Sequence, residues 1–157
     1  MGMAARLRSF LDSQGIPYEV LPHPHTSTSL ETARVAHVPE ERIAKSVVLE
    51  DEGGYLMAIL PASCRVSFDA LERQLHRKLE LASEAELAEL FQDCEIGAIP
   101  PVAAPYGMSA VLDERLCNLP DVYFEAGDHE DLVHLSGEAF QAIQARAHHG
   151  RFSREPD

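Results

Sequence analysis

The sequence predicts an α/β fold, a single domain in which a central mixed β-sheet is covered by helices. Three observations carry that reading. Two β-rich apolar runs, Lys45–Glu50 and Tyr55–Leu60, flank Asp51-Glu52-Gly53-Gly54 and read as a hairpin. A second pair, Asp121–Ala126 and Asp131–Leu135, flanks Gly127-Asp128-His129-Glu130. Segments of helical spacing alternate with these strands, which is the pattern of helices laid on a sheet. A chain of 157 residues buries roughly 70% of its unfolded surface in one core. The domain is expected over residues 1–150, followed by a polar, frayed tail over 151–157.

The elements follow in order. Leu7, Phe10 and Leu11 have helical spacing within Ala4–Gln14, and Gly15 is placed to stop that helix. Pro17–Leu21 alternates as a short strand ended by Pro22 and Pro24. Thr28-Ser29-Leu30-Glu31 has the spacing of a capping box, which predicts a helix over Ser29–His37. Pro39 opens a short turn or helical stub that leads into the lysine strand. Phe68, Leu71 and Leu75 mark a helix within Ser67–His76, Leu79–Ala82 is a short extended piece, and Ser83-Glu84-Ala85-Glu86 caps a helix to Phe91. Met108–Asp113 reads as a strand and Glu114–Asn118 as a turn or short helix. Ser136 caps a last helix from Glu138 to Ala147.

Composition narrows the function. No apolar run approaches the roughly 20 residues a membrane span needs, and the N-terminal residues lack an apolar signal core. No membrane partner is therefore expected. Cys64, Cys94 and Cys117 are odd in number and widely spaced, which suits free thiols in a reducing cytoplasm. His23-Pro24-His25 and His148-His149 lack the spacing that aims two rings at one ion, so no metal is expected, and dinucleotide or nucleoside-triphosphate fingerprints are absent, so no cofactor is expected. The formal net charge is −13, which repels a polyanion overall. From Arg34 to Lys78 seven basic residues balance seven acidic ones, whereas Arg115 is the only basic residue from Leu79 to Glu138. Any contact with RNA is expected to be local and weak, near Lys45, one of two lysines in the chain.

The segment Glu95-Ile96-Gly97-Ala98-Ile99-Pro100-Pro101 is built to present backbone. Gly97 admits conformations that a Cβ would block, and the prolines remove donors and stiffen the exit. Such a loop is either a helix stop or a cradle for a carbonyl oxygen or phosphate. Taken with Ile43-Ala44-Lys45-Ser46-Val47-Val48-Leu49 upstream and Glu125-Ala126-Gly127-Asp128-His129 downstream, the chain resembles the YbaK-like proteins and the editing domains of prolyl-tRNA synthetase, over roughly Ala5 to Ile143.

That resemblance implies an aminoacyl-tRNA deacylase acting on tRNA mischarged with a small amino acid such as alanine, cysteine, serine or threonine, and the Gly-Ala-Ile-Pro-Pro loop looks closest to the branch that clears serine and threonine. It implies catalytic roles for Lys45, which would hold the phosphate or ribose end of the terminal adenosine, and Gly97, whose backbone would contact the carbonyl. Ala98 would share that contact and Pro101 would fix the loop. Ser46 either lines the pocket or faces the core. Asp128 either meets the substrate amine or forms the turn, and His129 is either a base in reach of water or a solvated turn residue. The expected partners are the acceptor end of aminoacyl-tRNA and a synthetase. Two alternatives stay open: a regulatory module that binds an amino acid or aminoacyl-adenosine without chemistry, and an acidic scaffold protein without a pocket.

Overall fold

The computed structural model describes residues 2–156; Met1 and Asp157, at the outer ends of the expected domain and tail, lie outside them. Helix α1 (Ala5–Ser13) buries Leu7 and Leu11, and Gly15 turns the chain at φ +65°. Strand β1 (Glu19–Pro22) leads to α2 (Ser29–Ala36). The Thr28 hydroxyl accepts the Glu31 N–H, but the Glu31 carboxylate accepts the N–H of Ser27, not of Thr28. Half of the expected capping box is thus displaced by one residue. A 3-10 turn, Glu40–Arg42, delivers the chain to β2 (Ala44–Asp51), which returns through Glu52-Gly53 into β3 (Gly54–Pro61).

The middle of the chain follows its capping residues. After β4 (Arg65–Val66), Ser67 caps α3 (Phe68–Leu75). After β5 (Glu80–Leu81), Ser83 and Glu86 form a complete capping box on α4 (Glu84–Leu90). The Gly97 loop follows, then β6 (Ser109–Asp113), β7 (Asp121–Glu125), β8 (Asp131–Ser136) and α5 (Gly137–Ile143), capped by Ser136. Strands β9 (His148–Gly150) and β10 (Ser153–Arg154) complete the chain.

The central sheet is mixed, as expected, with order β5-β2-β3-β6-β9. Strands β2 and β3 are antiparallel, with Lys45 opposite Leu60, whereas β6 joins β3 in parallel and β9 joins β6 in parallel. The hairpin of β7 and β8 forms a separate antiparallel sheet with β1, and a parallel bridge between Ile43 and Tyr123 joins it to the start of β2. Leu7, Met57, Ile59, Leu112, Phe124, Val133 and Phe140 are wholly buried in the main core. A smaller cluster of Leu49, Leu60, Leu71 and Phe152 lies on the other face.

The C-terminal segment differs from its expectation. Helix α5 ends at Ile143, about a turn early, and the chain then adds a parallel strand to the sheet. Ser153 and Arg154 pair with Val66 and Arg65, so the tail is not frayed there. The cause is one apolar side chain and one acid. Phe152 is buried, and the buried Asp113 carboxylate accepts the N–H groups of Phe152 and Ser153 at 3.0 and 2.9 Å.

Candidate active site

Strand β5 pairs with β2 only at Leu49 and Glu50, so the edge of β2 upstream of that pairing is open to a cavity of about 510 Å³. One wall is Ala44–Val48. The segment Ser27–Leu30, entering α2, forms a second, Leu81 and Ala82 with the start of α4 a third, and Ile96, Gly97 and Ile99 a fourth; Glu125 closes the site.

Lys45 is half-buried on the β2 wall, and no carboxylate among the described residues lies within 4.0 Å of it. Burial holds its ammonium below the usual lysine range. An unpaired, partly desolvated ammonium is costly unless an anion arrives. Its neighbour Ser46 also lines the cavity, but the Ser46 hydroxyl is spent on the Ile99 carbonyl at 2.9 Å and ties strand to loop.

The loop is held from several sides. Gly97 has φ +90°, and a Cβ there would stand 3.0 Å from the Ser27 carbonyl oxygen and 3.1 Å from His129 Cε1. Both the conformation and the space require glycine. The Glu95 N–H donates to the Gly127 carbonyl at 2.7 Å, and the buried Gln144 amide donates to the Pro101 carbonyl at 2.6 Å. Among the described residues the Gly97 N–H has no hydrogen-bond acceptor. It is a free donor on the cavity wall.

Lys45, Ser46 and Gly97 therefore meet at one cavity, whereas Ala98, Pro101, Asp128 and His129 do not line it. Ala98 is buried and its N–H is consumed by the Glu95 carbonyl at 3.1 Å, which leaves no donor for a shared carbonyl contact. Pro101 is buried, and its carbonyl is held by the Gln144 amide. Asp128 is the turn-former: its Oδ1 accepts the N–H groups of Glu130 and Asp131 at 3.0 and 2.8 Å. His129 is neither a cavity residue nor a solvated one. It is buried in the left-handed region at φ +61°, and Nε2 donates to the Ile96 carbonyl at 2.7 Å.

Sequence reading missed the acid. The Glu125 side chain is 3% exposed, at the end of β7, and burial raises its carboxyl above the usual carboxylate range. Its Oε1 accepts the Thr32 hydroxyl at 2.6 Å and lies 3.2 Å from His23 Nε2. Oε2 has no hydrogen-bond partner. A glutamate at the end of Val-Tyr-Phe-Glu-Ala is the one available signal, since a strand that buries both neighbours buries a charge as well. Among the described residues no group of three or more His, Cys, Asp or Glu is placed to hold a metal. Burial pushes the Cys94 thiol up to about 12, which makes it a poor nucleophile.

The model of the aminoacyl-tRNA editing domain family matches residues 23–143. Proline–tRNA ligase of Leuconostoc citreum (strain KM20) is 29% identical over 119 residues, 75% of this chain and 20% of that protein. Proline–tRNA ligase of Thermosipho africanus (strain TCF52B) is 32% identical over 82 residues, 52% of this chain and 14% of that protein. The chain thus spans a fifth or less of the length of these relatives. A solved structure described as a candidate trans-editing enzyme for prolyl-tRNA synthetase superposes with a TM-score of 0.84 at 25% identity, over 96% of each chain.

Proposed function

The chain belongs to the aminoacyl-tRNA editing domain family, and on that premise we propose that it is a trans-editing deacylase, a hydrolase that cleaves the ester of tRNA mischarged with a small amino acid: serine or threonine, alanine or cysteine. The observation that carries this reading is the meeting of a free ammonium, Lys45, and a free backbone donor, Gly97, on the walls of one cavity. An aminoacyl ester is already activated, so positioning and stabilisation of the oxyanion suffice. The Gly97 N–H donates to the ester oxygen as negative charge develops on it. Lys45 holds the phosphate or ribose end of the terminal adenosine, and the vicinal ribose hydroxyl helps to position the attacking water. His129 and Ser46 act one step back, by holding Ile96 and Ile99 on either side of Gly97.

Likeness to prolyl-tRNA synthetases supports a synthetase as the partner that supplies tRNA selectivity, with this chain gripping the acceptor end. The net charge of −13 supports the same division. Free thiols and an aminoacyl-tRNA substrate support a cytoplasmic site of action. A second reading, a regulatory module that binds aminoacyl-adenosine without hydrolysing it, is favoured by one observation: His129, the expected base, is spent on the Ile96 carbonyl and does not line the cavity. Amino acid release from tRNAs charged with alanine, serine, threonine and cysteine decides between them. The deacylase clears one or two esters above the spontaneous rate, and the module clears none.

A further inference from the structure

We propose that Glu125 anchors the α-ammonium group of the aminoacyl moiety, so that the cavity accepts its ligand in one orientation, amine at Glu125 and nucleotide at Lys45. The inference rests on the reading of this cavity as an aminoacyl-ester site.

Two carboxylate side chains border the cavity. Glu84 is exposed at the start of α4, whereas Glu125 is enclosed and has an oxygen, Oε2, with no protein donor. The groups around Glu125 serve its other oxygen. Thr32 donates to Oε1 and is itself in contact with the Thr26 hydroxyl at 2.6 Å. His23 Nδ1 donates to the Pro24 carbonyl, and its Nε2 stands 3.2 Å from Oε1. These contacts fix the carboxylate and leave one oxygen for a donor that the protein does not supply. Buried acceptors are rarely left that way. The complementary ligand group is small, cationic and rich in N–H donors, which describes an ammonium. An aminoacyl-adenosine end carries such a cation at one end and a phosphate anion at the other, and the cavity carries Glu125 and Lys45. With both ends fixed, the ester carbonyl lies between them, where Gly97 offers its N–H.

The test uses a non-hydrolysable pair, 3′-alanylamino-3′-deoxyadenosine 5′-monophosphate and its lactyl counterpart, in which hydroxyl replaces ammonium, titrated calorimetrically into the full chain and its Glu125→Gln variant. Wild type is expected to bind the ammonium compound at least tenfold more tightly, and E125Q to narrow that ratio to within about twofold. A purely structural role for Glu125 would weaken both ligands alike and keep the ratio, which would overturn the proposal. A wild-type ratio near one, or no binding of either compound, would overturn it even if the variant failed to fold. Because these ligands cannot be cleaved, the result separates from the deacylase reading. Ammonium preference without tRNA hydrolysis would sink the catalysis and keep the anchor; hydrolysis without preference would do the reverse.

Discussion

The imidazole of His129 and the carbonyl of Ile96 meet at 2.7 Å, across 33 positions of sequence. A carbonyl oxygen only accepts, so Nε2 carries the proton, and the remaining nitrogen, Nδ1, is buried without a partner. His129 is thereby a brace for the Gly97 loop and not a base aimed at water. His129→Ala is expected to cost about 1–2 kcal/mol of stability and roughly tenfold in kcat for deacylation. His129→Asn, whose amide can donate and which tolerates the left-handed region, should recover part of both. Chemical denaturation and single-turnover kinetics on the three proteins check this. A pH–rate profile that loses a limb in H129A would instead restore a base.

Gly97→Ala meets the Ser27 carbonyl at 3.0 Å with the backbone at φ +90°. Backbone strain of this kind costs of order 1–3 kcal/mol. The expected outcome is a protein that folds with a lowered Tm and loses at least a hundredfold in deacylation rate, because the loop must shift the Gly97 N–H. Full activity in G97A would remove Gly97 from the chemistry.

Asp131 shares a hydrogen bond with Asp128, which raises its carboxyl to about 6. A carboxyl with a folded pKa above its unfolded value contributes stability that is present below the unfolded pKa, near pH 4, and is lost as pH rises through about 6. Asp131→Asn is neutral at every pH. It is therefore expected to gain stability relative to wild type between pH 4 and pH 7.5, and urea denaturation at both values reads the difference. A gap between the two proteins that does not change with pH would contradict the shared proton.

Much of the fold was legible because its signals are local. Ser67, Ser83 and Ser136 each cap the helix that follows them, and Asp51–Gly54 turns the hairpin. The tail was not legible, because its order comes from Phe152 packing against Leu49 and Leu71 in the second core, and from Asp113 collecting its N–H groups. Lys45 and Gly97 could be singled out from their chemistry and from a family likeness. Their neighbours could not. Ala98 looked available until the Glu95 carbonyl took its N–H, and Glu125 acquired its surroundings from Thr32 and His23, roughly a hundred positions away.

The central claim is that Lys45 serves the ligand and not the core. Its ammonium has no acidic partner within 4.0 Å among the described residues, and burial disfavours its charge. Lys45→Ala removes that burden, so its Tm should equal or exceed that of wild type. The measurement that tests this most directly is the single-turnover rate of Lys45→Ala on the mischarged tRNA that wild type clears best, taken beside its melting curve. The expected result is a rate at least a hundredfold lower with an unchanged or higher Tm. A rate within threefold of wild type, or a loss that follows unfolding, would contradict it.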